Sequence, residues 1–163
     1  MGKFKVKAGL LATVVLLNVS LVQQAQASVS QEVIQLVNQA RSQGRLCGNQ
    51  RFASTQSVSI NASLNRAAQA HSSDMAARQQ MSHTGSNGSS AGQRAKQAGY
   101  GSTFVAENVG LGYTSASAVV NGWLKSPGHC RNIMNPAYNE AGVGAVRGRD
   151  GRLYWTMKLG RNR

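Results

Sequence analysis

Residues 1–27 constrain the chain more than any other segment, because they decide in which compartment the remainder folds. Lys3, Lys5 and Lys7 precede a mostly apolar run from Ala8 to Val22, followed by Gln23-Gln24 and the small-residue pattern Ala25-Gln26-Ala27. A basic start, an apolar centre and small residues at the end are the layout of a secretory signal peptide, with cleavage expected after Ala27. The alternative is a retained membrane anchor, for which a run of about 15 residues is short against the roughly 20 that a spanning helix needs. No later segment is apolar enough to cross a bilayer, so no transmembrane anchor is expected after cleavage.

Export places the chain in an oxidising compartment. Cys47 and Cys130 are its two thiols, and an even count in an exported chain favours a disulfide, with one possible pairing. Two buried free thiols are the alternative. A bridge would stabilise the fold by about 4 to 5 kcal/mol in the chain-entropy model, before any strain.

The remaining length is enough for one hydrophobic core. With 41% apolar and 14% charged residues, neither a disordered chain nor a polybasic tail fits. The net charge of +13 implies attraction to anionic surfaces such as envelope lipids, acidic wall polymers or nucleic acid. The 12 Arg are scattered, without a run or an aromatic-interleaved stripe, so no specific nucleic-acid site is expected.

Hydrophobic spacing organises the rest. Val33, Leu36, Val37 and Ala40 predict a helix over Glu32–Arg41, and Gly44 and Gly48 open an irregular polar stretch through Ser59. Leu64, Ala67, Ala68, His71 and Met75 predict a second helix from an Asn61 cap to about Gln80. Ala91, Ala95 and Ala98 mark a short third, stopped by Gly99. Val105, Glu107, Val109 and Leu111 alternate as in a strand, which sets Glu107 on the more apolar face, where a carboxylate needs a partner. Ala116, Val119, Val120, Trp123 and Leu124 give a fourth helix, which Pro127 and Gly128 end. Ala141–Arg147 and Arg152–Leu159 read as a hairpin across Gly148–Gly151. The expected fold is α+β, one domain with an antiparallel sheet flanked by helices.

The chain has three His. His71, inside an amphipathic helix, reads as a hydrogen-bonded structural residue. His83 and His129 fall on Gly-rich turns past helix ends, where functional groups concentrate. If Glu107 meets them, two imidazoles and a carboxylate form a reasonable zinc site with an open position; the carboxylate could instead orient an imidazole or activate a bound water. The bland alternative is a polar network filling the gap between helices and sheet. A Ser126-His129-Glu107 hydrolase is available by arithmetic, but no Gly-x-Ser-x-Gly elbow accompanies it.

Five blocks in order are recognisable: Ser82–Gly88 (SHTGSNG), Glu107–Gly110 (ENVG), Trp123 through Ser126–His129 (SPGH), Asn132–Pro136 (NIMNP) and Tyr154–Thr156 (YWT). Together, from about Val33 to Leu159, they resemble a bacterial member of the CAP superfamily. This superfamily, also called the SCP domain, includes cysteine-rich secretory proteins, antigen 5 and plant pathogenesis-related 1 proteins. The resemblance implies a CAP domain over residues 28–163, a three-layer α-β-α sandwich with a central, mostly antiparallel sheet. It also implies a cleft lined by two His and two acids, the His pair able to bind zinc or magnesium.

Carried over, His83 and His129 match the His pair, and Glu107 matches the acid of a Gly-Glu-Asn block whose Gly is Ala106 here. Ser126 stands where a second acid is usual, and Met157 where a Gln is frequent. Members of the superfamily have been linked to sterol or lipid binding, host defence, envelope association and, rarely, proteolysis. The expectation is an exported interaction module. It binds a divalent metal through His83 and His129, with a lipid, sterol or anionic envelope polymer as partner. The alternative is a metal-dependent hydrolase of peptide or cell-wall material, with Glu107 or Ser126 in the chemistry.

Overall fold

A computed structural model describes residues 9–161 of the chain, with side chains from residue 23 onward; Lys3, Lys5 and Lys7 of the expected leader lie outside the described residues. Along the chain run α1 (Gly9–Gln43), β1 (Arg45–Cys47), β2 (Gln50–Phe52), β3 (Ser59–Ile60), α2 (Ala62–Arg78), α3 (Ala91–Gln97), β4 (Val105–Leu111), α4 (Ala116–Lys125), α5 (Pro127–Met134), β5 (Glu140–Arg147) and β6 (Leu153–Gly160). The main sheet has the order β3-β5-β6-β4. It is antiparallel except where the short β3 runs parallel to β5. Helices α2 and α3 cover one face and α1, α4 and α5 the other, which makes the three-layer α-β-α sandwich.

Strand β6 lies between β5 and β4 and is covered on both faces. Trp155, Met157 and Leu159 enter the larger core with Val33, Val37, Val119, Trp123 and Ile133. The alternate residue Tyr154 packs against Met75, Ala76 and Val109. Burial on both sides explains why β6 reads as a nearly continuous apolar run rather than a clean alternation.

Helix α2 sits directly on the backbone of β5. A Cβ at Gly142 would collide with Leu64 and Asn65 of α2, and one at Gly144 with Ala68 and Gln69. Glycine is the residue that permits this approach. At that distance Asn65 and Gln69 accept from the Val143 and Ala145 amides at 2.8 and 3.3 Å. They take the place of the neighbouring strand that the two-residue β3 is too short to supply.

Three expectations are corrected. Helix α1 extends well before Glu32, because nothing from Gln23 to Gln31 is a Gly or Pro; among the described side chains it meets the domain through Gln26, which donates to the Val143 carbonyl at 3.5 Å, through Val29, and through Ser30, 1% exposed and bonded to Asn65 Oδ1. The stretch after Gly44 contains the β1–β2 hairpin, whose three-residue strands are too short to reveal a period. Pro127 ends α4 and also starts α5, occupying its first turn, where the absent N–H costs nothing. His129 therefore stands on a helix, not on a turn.

The disulfide joins Cys47 of β1 to Cys130 of α5, with Cα atoms 5.4 Å apart. No described helix is long and apolar enough to cross a membrane.

Candidate functional site

Glu107 is the centre of the site. The strand register places it opposite Lys158 on β6, which in turn lies opposite Gly142 on β5. The side chains of this row face α2 and α3, so Glu107 is buried to 3% exposure and Lys158 completely. Lys158 Nζ donates to Glu107 Oε2 at 2.6 Å and to the Ala91 carbonyl at 3.2 Å. Arg94, from α3, donates to both carboxylate oxygens at 3.0 and 2.8 Å.

The same Arg94 holds the loop that carries His83, donating to the carbonyls of His83 and Ser89. His83, 58% exposed, lies with Nδ1 3.0 Å from Glu107 Oε1. Burial pushes the Glu107 pKa up, but the His83 hydrogen bond, the Lys158 charge and Arg94 outweigh it and hold the group at about 2. Glu107 is thus ionised and can only accept, so His83 Nδ1 carries a proton, the tautomer that in a neutral ring leaves the lone pair on Nε2.

His71 takes the structural part expected of it. It is fully buried, with Nε2 2.8 Å from the Ser82 carbonyl and 3.7 Å from Glu107 Oε1. Burial lowers its pKa, against the opposing pull of Glu107.

His129 reaches the site from α5, which a polar clasp fixes to β4. The fully buried Asn108 donates to the His129 carbonyl at 3.1 Å and accepts from Asn132 at 2.8 Å. The His129 ring is half-buried; burial lowers its pKa, and His83 lowers it further. The two imidazoles are therefore near enough for charge on one to disfavour charge on the other. Ser126 heads α5, half-buried, and its side chain makes no capping bond.

The structure thus joins His83 to Glu107 and brings His129 into electrostatic range of His83. Sequence reasoning missed Arg94, Lys158, Asn108 and Asn132. One signal was present: Lys158 lies inside an apolar strand, where a charge needs a partner. Among the described residues no three His, Cys, Asp or Glu side chains come together as a metal-ligand set. The donors that remain are two imidazoles, and the two cations beside Glu107 leave its oxygens committed.

A model of the cysteine-rich secretory protein family, CAP, matches residues 34–159. The chain belongs to the CAP family. The match covers the core elements and every residue of the site. Among curated proteins the CAP chain is similar to the uncharacterized protein YkwD of Bacillus subtilis, 30% identical over 102 residues, which are 63% of this chain and 38% of YkwD. Among solved structures it resembles an extracellular protein containing an SCP domain from Bacillus anthracis, with TM-score 0.69 and 24% identity over 83% of this chain and 41% of that one. It also resembles an outer surface protein from Borrelia burgdorferi, with TM-score 0.61 and 20% identity over 67% of this chain and 80% of that one. These likenesses establish the CAP fold. The chain spans about two fifths of YkwD and of the Bacillus anthracis protein.

Proposed function

We propose that this CAP domain is an exported interaction module whose cleft takes a divalent metal through His83 and His129, with Glu107 orienting His83. The observation that carries the reading is the His83–Glu107 contact. A carboxylate bound to one ring nitrogen fixes the tautomer and turns the other nitrogen outward as a ligand. Burial, and then the His83 charge, lower the His129 pKa, which favours the neutral ring, the form that ligates. With imidazole donors and no free carboxylate, zinc suits the pair better than magnesium, which prefers oxygen. Bound there, the metal would supply a Lewis-acidic anchor for a partner's anionic group.

Export is supported by the leader pattern and by the extracellular and outer-surface proteins that share the fold. Among the described side chains, apolar packing of α1 on the core starts at Val29, just past the expected cleavage point. The basic surface suits an anionic envelope polymer or lipid as partner.

A hydrolase that activates water through Glu107 would need that residue as a base. Its two oxygens already accept from His83, Arg94 and Lys158, and a pKa of about 2 makes it a poor proton acceptor at neutral pH.

Calorimetric titration with zinc tests the reading. The protein should bind with one-to-one stoichiometry, and His83→Ala and His129→Ala should each weaken binding by at least about tenfold. Equal affinity in all three removes the site.

A further inference from the structure

Charge is divided unevenly over the sandwich. Residues 33–73 and 108–139 contain no Asp or Glu, and they supply the β1–β2 hairpin, α4 and α5. The chain's 5 acids lie elsewhere. Asp74 pairs with Arg78 and Asp150 with Arg152, Glu107 is buried beneath Arg94 and Lys158, and Glu140 accepts from Asn61 and Tyr100. Glu32 is on α1, roughly 16 Å before its end at Gln43 for a rise of 1.5 Å per residue.

Four basic residues stand on the acid-free elements: Arg45 and Arg51 on the hairpin, Lys125 at the end of α4 and Arg131 on α5. Among the described residues none of the four has a side-chain hydrogen bond or an ion pair. The fold gathers them. Cys47 is bridged to Cys130, and a Cβ on the adjacent Gly48 would stand 3.1 Å from the Pro127 ring. Arg131 follows the bridged Cys130, and its guanidinium folds back over Gly128, 3.9 Å from where a Cβ would stand, next to that same Pro127. Lys125 lies two residues before it.

Two apolar residues sit among these cations. Leu46 and Arg51 are directly paired across the hairpin, so they share a face, and it is the face opposite the buried Cys47. There Leu46 is 57% exposed, and Pro127 is exposed as well. The disulfide fixes the hairpin that presents Leu46, so little order has to be gained on contact.

We propose that this face, the β1–β2 hairpin with the α4–α5 junction, docks the exported protein onto an anionic lipid bilayer. Unpaired cations draw it to the headgroups, each contributing about fivefold in affinity, and Leu46 enters the boundary between headgroups and acyl chains. An anionic polymer would use the cations and leave Leu46 in water. The proposal rests on export for the membrane it meets, and not on the metal cleft.

Co-sedimentation of the exported protein with vesicles tests it. The protein should sediment with equal parts of phosphatidylcholine and phosphatidylglycerol and stay in solution with phosphatidylcholine alone. Leu46→Ser should weaken binding by about tenfold, the scale of one leucine withdrawn from water. Arg51→Gln and Arg131→Gln should each weaken it by about fivefold. Arg149→Gln, on the β5–β6 turn, removes the same charge outside the face and should bind like the parent protein, and EDTA should change nothing. The intact mass, with or without the leader, reports export separately, so a failure of that reading is distinguishable from a failure of this one. No sedimentation with the anionic vesicles, or loss of it in EDTA, overturns the proposal. So does Leu46→Ser binding like the parent, which would leave a surface for anionic polymers, or Arg149→Gln losing as much as Arg51→Gln, which would leave net charge alone.

Discussion

Glu107 Oε2 accepts from Lys158 Nζ at 2.6 Å, across a pair of directly opposed strand positions whose side chains are 3% and 0% exposed. With Arg94 on both carboxylate oxygens, Glu107 answers two buried cations with one negative charge. The net balance explains why each partner is indispensable: removing one member of a buried ionic cluster strands the others without solvent.

Glu107→Gln should therefore destabilise the protein by about 3 to 5 kcal/mol, because Arg94 and Lys158 lose their counter-charge. Urea denaturation measures it. A stable variant would mean that the cluster contributes little and that Glu107 is held for another purpose.

Acid should weaken the fold in two steps. His71 and His129 have pKa values lowered by burial, so their unfolded forms bind protons first, and stability falls as pH drops below about 6.5. Glu107 is held at about 2 against an ordinary 4.5. Its contribution is complete above pH 4.5 and is lost as pH falls from there through 2, by roughly 3 kcal/mol. Denaturation midpoints across the acid range check the order, and in Glu107→Gln the lower step should disappear.

Gly144→Ala should cost about 3 kcal/mol or more, since its Cβ meets the backbone of Ala68 rather than a side chain that can swing aside. Urea denaturation reads this too, and a near-neutral change would show that α2 can lift from β5. His71 would then shift with it, and the Ser82 contact should loosen.

Reduction of Cys47–Cys130 opens a link between residues 83 apart in sequence and should lower the urea midpoint by about 2 M. Cys130 follows His129 directly, so reduction should also weaken zinc binding at temperatures where the protein remains folded. An unchanged zinc affinity in the folded, reduced protein would show that Asn108 and Asn132 hold α5 without help.

Long amphipathic elements were legible in the sequence. The α2 stripe, its Asn61 cap and the β4 alternation all follow from local spacing, and the buried position of Glu107 follows from that alternation. The β1–β2 hairpin was not legible, because three-residue strands carry no period. Pro127 read only as an end, although at the first turn of a helix it serves equally as a beginning. Lys158 escaped notice for a different reason. On an edge strand the Tyr154, Thr156 and Lys158 face would meet water, and only the strand order, with β4 outside β6 and helices above, turns that face inward. Order within a sheet is a long-range property that no local window contains. Arg94 was hidden likewise, its partner lying 13 residues on and in another layer.

The most direct test of the central claim is a long-range nitrogen–proton spectrum of the histidine rings, recorded with and without zinc. The account predicts that His83 Nδ1 stays protonated against Glu107 while His83 Nε2 and a His129 nitrogen move to metal-ligated shifts. Ring nitrogens that do not respond to zinc, or ligation through His83 Nδ1 with its bond to Glu107 broken, would contradict it.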